Sequence, residues 1–165
     1  MKLESLFPVQ KQVIPIVLNS DRSQSIYPND ICVTAPTGSG KTLTYVLPII
    51  QNLKNRIEPC CRAIVLLPVS DLAEQVYQIF KSHLEHDENF RLIEKENDIQ
   101  AEKNNLKVML LSAKTPFAKE QALLINQYHS RCLIDIIVTT PGRLVDHIQK
   151  TKGIKYTDKD KGLVS

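Results

Sequence analysis

The segment Ala35-Pro36-Thr37-Gly38-Ser39-Gly40-Lys41-Thr42 carries the strongest structural signal in this chain of 165 residues. An apolar, β-branched run over residues 30–34 precedes it and predicts a strand, and the apolar spacing that continues to about Arg56 predicts a helix. Gly38 and Gly40 permit a positive φ and keep side chains away, so successive backbone N–H groups can converge on an anion. The following helix directs the positive end of its dipole at the same point. The pattern therefore predicts a phosphate-binding loop.

The residue types in this loop indicate a nucleoside triphosphate site. Lys41 would reach the β- and γ-phosphates, and the Thr42 hydroxyl would take one coordination position on Mg²⁺. Ala35 departs from the usual G-x-x-x-x-G-K-[ST] pattern, which begins with glycine. The alternative is a glycine and serine turn that binds nothing, but a Lys-Thr pair at a helix start then has no structural purpose. The predicted nucleotide-binding residues are Ala35, Pro36, Thr37, Gly38, Ser39, Gly40, Lys41 and Thr42.

The composition is that of a soluble globular protein with one domain. Hydrophobic residues make up 42% and charged residues 24% of the chain, and the net charge is +3. This mild basicity permits a nucleic-acid partner without establishing one. No apolar run approaches the roughly 20 residues that span a bilayer, and the N-terminus shows no signal-peptide pattern, so no membrane association is expected.

The cysteines and histidines do not predict a disulfide framework or a metal site. Cys60 and Cys61 are adjacent, and no pair has Cys-x-x-Cys spacing. Cys32 and Cys132 fall in predicted strands, where reduced cysteine behaves as a small hydrophobic residue. His83 and His86 lie one helical turn apart without an evident third ligand. We expect a reducing compartment, the cytosol or the nucleus.

Predicted strands and helices alternate along the chain, which favours an α/β fold with a mostly parallel sheet and helices on both faces. Ligands bind such sheets at the carboxyl ends of the strands, where residues 35–42, 68–75 and 139–143 are expected. The remaining predicted segments are helices over 7–18, 72–84, 117–128 and 144–150, strands over 63–67, 90–93, 108–111 and 133–138, and a solvated excursion over 94–105.

Four segments together resemble a known family. Phe7-Pro8-Val9-Gln10, followed by Ile14-Pro15, is similar to its Q motif, and the phosphate loop is similar to its motif I. Pro68-Val69-Ser70-Asp71-Leu72-Ala73-Glu74-Gln75 resembles motif Ia, and Thr140-Pro141-Gly142-Arg143 resembles motif Ib. In this order, over about residues 5 to 153, they resemble the first, three-layer RecA-like P-loop domain of DEAD-box ATP-dependent RNA helicases.

The resemblance implies roles for individual residues. Gln10 would read adenine, because an amide offers the donor and the acceptor that this base requires; a capping glutamine is the alternative. Pro68, Thr140, Pro141, Gly142 and Arg143 would contact the backbone of single-stranded RNA, and a plain capped helix start is the alternative for both segments. ATP and Mg²⁺ are the implied cofactors.

A narrower resemblance concerns the biological setting. The segments Ala118-Lys119-Glu120-Gln121 and 138–148 resemble the nucleolar subgroup that acts in assembly of the large ribosomal subunit. This resemblance implies ribosomal RNA precursor as the RNA, ribosome-assembly factors as possible partners, and the nucleus and nucleolus as the location.

The chain also departs from the family pattern. Ser70 stands where motif Ia usually has arginine and Asp71 where it has glutamate, which removes a charge-assisted phosphate contact. Ser112-Ala113-Lys114 stands near the family's paired glycines, and the Asp-Glu-Ala-Asp segment is not found; only Asp158-Lys159-Asp160-Lys161 follows. We expect a partial RecA-like domain over residues 1–153, a divergent, disordered tail over 154–165, a truncated product and little ATP hydrolysis by this chain alone.

Two other functions are compatible with parts of the pattern. The chain could be a catalytically inactive nucleotide-binding module that works by docking a partner. A P-loop kinase or GTPase is disfavoured, because the segments beginning at Phe7 and Thr140 would then be coincidences.

Overall fold

The computed structural model describes residues 6–20, 30–54, 60–84, 90–92, 106–125, 132 and 134–151. The chain forms two compact units, Met1–Lys54 and Asn55–Ser165, here called the N-terminal unit and the C-terminal unit. The predicted excursion over 94–105, the predicted tail over 154–165 and His86 lie outside the described residues.

The N-terminal unit contains two helices that pack against each other, α1 (Pro8–Ser20) and α2 (Lys41–Leu53). Both confirm predicted helices. Proline is tolerated in the first turn of a helix because the N–H group that it lacks has no intrahelical partner there, and Pro8 takes that place in α1. Helix α2 begins directly after the phosphate loop and buries Thr44, Val46 and Pro48.

The strand predicted over residues 30–34 was wrong. Residues 30–36 have no regular secondary structure, Ile31 is 41% exposed, and Cys32 is exposed rather than inside a strand. A strand requires backbone hydrogen bonds to a neighbouring strand, and the ladders of the described residues include none from this segment. An apolar β-branched run indicates a tendency to be buried, but it does not supply that neighbour.

The C-terminal unit is built on a parallel sheet of β1 (Ala63–Leu66), β2 (Phe90–Leu92), β3 (Leu106–Leu111) and β4 (Ile136–Thr139). The strand order is β1-β4-β3-β2, and every described pair is parallel. The two central strands β3 and β4 are almost entirely buried, which explains why their sequences are mostly apolar, with Lys107 and Thr139 as the polar exceptions. The α/β fold class is thereby confirmed.

Three described helices accompany the sheet: α3 (Ser70–Leu84), α4 (Phe117–Leu124) and α5 (Pro141–Lys150). Helix α4 ends four residues before the predicted end at 128, because Ile125 takes an extended conformation and forms an isolated bridge with Cys132. The last strand begins at Ile136 rather than at 133, so Cys132 does not lie in a strand. Helix α3 buries one face at helical spacing: Ala73, Val76, Tyr77, Phe80 and Leu84.

Asp135 joins three strands at their amino ends. Its buried carboxylate accepts a hydrogen bond from the Lys107 backbone N–H at 2.9 Å. Its backbone carbonyl accepts hydrogen bonds from Arg62 and Ala63, at 2.9 and 3.1 Å. An Arg62 guanidinium nitrogen lies 3.9 Å from the carboxylate and provides the opposite charge that a buried anion requires. These bonds align β1, β4 and β3.

Within the described residues, no helix is long and apolar enough to cross a membrane. The same part of the chain contains no group of three or more His, Cys, Asp or Glu residues that could hold a metal ion.

The described cysteines are free thiols in different environments. Burial raises the pKa of Cys61 to about 12 and that of Cys132 to about 11. The thiolate is the reactive form, so both groups are inert near neutral pH. Cys32 is exposed.

We expect iodoacetamide at pH 8 to alkylate Cys32 well before Cys61 and Cys132 in the folded chain. Peptide mass spectrometry over a time course measures the order, and the urea-unfolded chain, in which the thiols should react at similar rates, is the control. Protection of Cys32 equal to that of Cys61 would contradict the irregular, exposed conformation of residues 30–36.

Candidate functional site

The loop between residue 34 and α2 has the backbone conformation that its glycines predict. Gly38 has φ 80° and Gly40 has φ 83°, values in the left-handed region that side chains disfavour. A Cβ atom on Gly38 would meet nothing within 4 Å. One side of the loop is therefore open for an anion to approach the backbone.

Gly40 is needed for a second reason, because Gln10 and Phe7 of the Q-motif segment pack directly against it. A Cβ atom on Gly40 would lie 2.4 Å from Gln10 Nε2 and 2.7 Å from Phe7 Cδ2. The Gln10 Nε2 group donates to the Gly40 carbonyl at 3.1 Å, and Gln10 Oε1 accepts from the Phe7 N–H at 2.9 Å. Gln10 is 1% exposed. The structure thus places Gln10 as a brace between the start of α1 and the phosphate loop; its contact with adenine stays a prediction.

The Lys41 ammonium lies against the loop itself. It donates to the carbonyl oxygens of Ala35 and Pro36, at 2.5 and 2.6 Å. The Ser39 hydroxyl donates to the same Pro36 carbonyl at 2.7 Å. These contacts hold a positive charge against the backbone of the loop.

Thr42 is half-buried in the first turn of α2, and its side chain hydrogen bonds to Tyr45. Burial raises the pKa of Tyr45, and the bond to Thr42 lowers it by less. Tyr45 therefore stays neutral at ordinary pH and can fix the orientation of the Thr42 hydroxyl. Mg²⁺ takes few protein ligands and fills its other positions with phosphate oxygens and waters. A single hydroxyl oxygen beside the phosphate loop is compatible with such a site.

In the C-terminal unit, the two other predicted loops follow neighbouring strands. Strands β1 and β4 are adjacent and parallel, so Pro68 and Thr140 follow them at the same edge of the sheet. Thr140 is the N-cap residue of α5 but makes no side-chain capping bond, and Gly142 has open space where a Cβ would stand. The first-turn N–H groups of α5 can therefore face an anion at this edge.

The structure places Arg143 inside this edge. Its Nε donates to Glu120 Oε2 at 2.8 Å, and its Nη2 donates to the Thr115 carbonyl at 2.8 Å. The guanidinium carbon also lies 5.0 Å from the centre of the Phe117 ring, and the side chain is 15% exposed. Most of the guanidinium therefore serves internal contacts, and the predicted contact of Arg143 with RNA stays a prediction.

Glu120 is the residue that the sequence did not reveal. Its carboxylate is fully buried and accepts hydrogen bonds from the Ser112 backbone N–H and from Arg143, both at 2.8 Å. His147 Nε2 lies 2.8 Å from the same carboxylate, and His147 Nδ1 lies 3.0 Å from the Thr151 hydroxyl. The segment 118–121 is distinctive in sequence, but the partners of Glu120 lie up to 27 residues away in the chain, which no local pattern shows.

Asp71, one of the two residues that depart from the motif Ia pattern, forms an ion pair with Lys114 that the sequence did not predict. Lys114 Nζ lies 3.6 Å from Asp71 Oδ1 and 3.8 Å from Glu74 Oε2. All three side chains are substantially exposed, so this contact adds little stability. It nevertheless places the lysine of the 112–114 segment beside the helix start at Ser70, where motif Ia usually has arginine.

A family model of DEAD/DEAH box helicases matches residues 7–161. The chain belongs to this family. It is 44% identical over 156 residues to the probable ATP-dependent RNA helicase Dbp73D of Drosophila melanogaster, covering 93% of this chain and 20% of that protein. It is 40% identical over 159 residues to the human ATP-dependent RNA helicase DDX51, covering 92% and 21%. The chain thus spans about a fifth of the length of these relatives.

Solved structures of DEAD-box proteins share the fold. A DEAD box protein from the hyperthermophile Methanococcus jannaschii matches with a TM-score of 0.59 and 27% identity, over 87% of this chain and 31% of that protein. The DEAD-box helicase Mss116, bound to ssRNA and UDP-BeF, matches with a TM-score of 0.63 and 24% identity, over 91% and 26%. The fold is therefore that of a DEAD-box RecA-like domain.

The glycine geometry leads to a prediction for two matched variants. Gly38→Ala should lower the free energy of unfolding by about 1–2 kcal/mol, because it adds only the strain of a positive φ. Gly40→Ala should lower it by about 2–5 kcal/mol, because its Cβ must also displace Gln10 and Phe7. Urea unfolding followed by circular dichroism measures both, and equal losses would contradict the packing of Gln10 on Gly40.

The buried carboxylate leads to a second prediction. Glu120→Ala should lower the free energy of unfolding by about 3–5 kcal/mol, because it leaves the charge of Arg143 without its buried partner. Glu74→Ala, which removes a partly exposed carboxylate, should change it by less than about 0.5 kcal/mol. Thermal and urea unfolding compare the two variants; similar small losses would show that Glu120 does not hold a buried ion pair.

Proposed function

We propose that this chain is the ATP-binding and RNA-binding part of an ATP-dependent RNA helicase. The observation that carries the proposal is the phosphate loop, with two positive-φ glycines, Lys41 bonded to its carbonyl oxygens and Gln10 bonded to Gly40. The ATP-dependent RNA helicases that it resembles are about five times longer, as the 20% coverage of Dbp73D indicates. The complete activity, in which RNA is remodelled with ATP hydrolysis, belongs to the proposal.

ATP would bind with its phosphates against the loop backbone. The N–H groups around Gly38 and Gly40 would donate to phosphate oxygens, and Lys41 would exchange its loop carbonyl partners for the β- and γ-phosphates. Such charge-assisted hydrogen bonds are stronger than those to neutral carbonyl oxygens, which favours the exchange. Gln10 is buried while it braces Gly40, so reading adenine would require its second N–H and second lone pair to become accessible when the nucleotide binds.

Mg²⁺, when bound with the nucleotide, would neutralise the phosphate charge and be held by the Thr42 hydroxyl. Tyr45 supports this assignment, because its hydrogen bond orients the Thr42 side chain. Lys41 and Thr42 are therefore the proposed catalytic residues among those described.

RNA would bind at the edge of the sheet that carries Pro68 and Thr140. The open side of Gly142 and the first-turn N–H groups of α5 suit the approach of a phosphate. Pro141 and Arg143 also belong to the proposed RNA-binding segment. Pro141 starts the helix, and Arg143 holds the segment through its internal contacts and would donate its remaining N–H groups to RNA. Backbone contacts of this kind position RNA without reading its sequence.

The proposed RNA is a ribosomal RNA precursor, and the proposed location is the nucleus, in the nucleolus. Support comes from the two segments at 118–121 and 138–148, which resemble the nucleolar ribosome-assembly subgroup. Contacts with ribosome-assembly factors belong to the same proposal. We assign the nucleotide and RNA functions to residues 1–153.

A second candidate is a nucleotide-binding module that docks a partner and does not remodel RNA. Two observations favour it. Asp71 and Glu74 flank Lys114, and the guanidinium of Arg143 hydrogen bonds to Glu120 and Thr115 within the protein. Both reduce the positive charge that the RNA-facing edge offers to phosphate.

We expect Lys41→Ala to weaken the binding of a fluorescent ATP analogue by about 10- to 100-fold, the loss that one charge-assisted contact represents. Lys119→Ala, which removes an exposed lysine of α4, is the matched control and should leave the affinity unchanged. Fluorescence titration with and without Mg²⁺ measures both variants.

The same variants separate the two candidates in cells. If the helicase function is correct, a full-length protein with Lys41→Ala should fail to support growth or RNA processing. Full activity of that variant would favour the docking module, and unchanged nucleotide affinity would contradict the nucleotide site itself.

A further inference from the structure

Two loops at the carboxyl edge of the sheet share one buried carboxylate. The turn after β3 presents the Ser112 N–H to Glu120 Oε1, and α5 presents Arg143 and His147 to Glu120 Oε2. Glu120 itself belongs to α4 and has no solvent exposure. One side chain therefore joins three parts of the C-terminal unit: the turn after β3, α4 and α5.

The surrounding contacts limit how these parts can move. Arg143 also bonds to the Thr115 carbonyl of the turn, at 2.8 Å. The Phe117 ring stacks on His147 with 4.3 Å between ring centres, and Gln121 Nε2 donates to the Lys150 carbonyl at 3.1 Å. Because the guanidinium is planar and bonds to both Glu120 and Thr115, Arg143 holds the start of α5 and the turn after β3 in place.

We propose that Glu120 is a positioning residue for RNA binding, which fixes the loop at Thr140–Arg143 and the turn at Ser112–Thr115 in one arrangement through Arg143. The inference rests on the proposed RNA function of this edge. In this inference, Arg143 fixes the position of the N–H groups at the start of α5 with respect to the turn after β3. These are the N–H groups that would face a phosphate.

The physical basis is that a phosphate contacts several donors only if their spacing is already set. If the turn at 112–115 and the loop at 140–143 were flexible, RNA binding would have to order them at a cost in conformational entropy. Loops that are already fixed avoid that cost. Glu120 can enforce the arrangement because its carboxylate is buried. If Arg143 moved away, the ion pair between them would be lost in a place that water does not reach.

The test is a double-mutant cycle with Glu120→Gln and Arg143→Lys. Glutamine keeps the size of the side chain and an acceptor for the Ser112 N–H, but its amide N–H₂ cannot accept from Arg143. Lysine keeps the charge but cannot hold Glu120 and Thr115 together in the planar geometry of arginine. Anisotropy with a labelled oligouridylate measures RNA affinity, and circular dichroism and ATP-analogue binding confirm that each variant is folded.

We expect Glu120→Gln to weaken RNA binding about tenfold, and to weaken it by less than about twofold when Arg143 is already lysine. Glu74→Gln makes the same chemical change at a partly exposed carboxylate and should leave RNA binding unchanged or slightly stronger, because it removes a negative charge beside Lys114. A variant that merely loosens the core would lower affinity equally in both backgrounds, so additive losses would overturn the proposal.

The remaining outcomes are also decisive. If the unaltered chain binds RNA and Glu120→Gln binds it equally well, the positioning role is wrong while the RNA function stands. If the unaltered chain binds no RNA under low-salt conditions, the proposed RNA function fails, and the positioning role fails with it.

Discussion

The burial of charge is the constraint on which the C-terminal unit depends. A carboxylate removed from water must find hydrogen-bond donors or a cation, and the structure provides both at opposite ends of the sheet. At the amino ends of the strands, the Asp135 carboxylate accepts from the Lys107 backbone N–H and lies 3.9 Å from the Arg62 guanidinium. Glu120 gathers Ser112, Arg143 and His147 at the carboxyl ends. The core supplies the hydrophobic stabilisation, and these two residues determine where the loops at each end must lie.

The N-terminal unit depends on a different constraint, the absence of a side chain at residue 40. Gln10 can hydrogen bond to the loop only because nothing projects from Gly40 toward it. The same glycine gives the backbone the left-handed conformation with which α2 begins. One residue thus joins the first helix, the phosphate loop and the second helix, which explains why the Q-motif segment and motif I act as one structure.

Patterns of neighbouring residues in the sequence predicted the features that depend on local backbone structure. The glycine conformations, the helix after Lys41 and the buried strands β3 and β4 follow from residue type and spacing, and the structure confirms them. The strand at 30–34 failed because pairing needs a partner that the pattern does not contain. The sequence analysis missed the contact between Glu120 and Arg143, because it joins residues 23 positions apart in the chain. Long-range pairing of charges was the part that sequence could not provide.

The central claim is that the backbone of the phosphate loop binds the phosphates of ATP. The most direct measurement is an amide NMR titration of the isotope-labelled chain with ATP and Mg²⁺, with adenosine as the comparison ligand. We expect the amide signals of Gly38, Ser39, Gly40, Lys41 and Thr42 to shift with ATP and to move much less with adenosine, because only the phosphates reach the loop. Unchanged loop signals at saturating ATP, with shifts confined to other residues, would contradict the account.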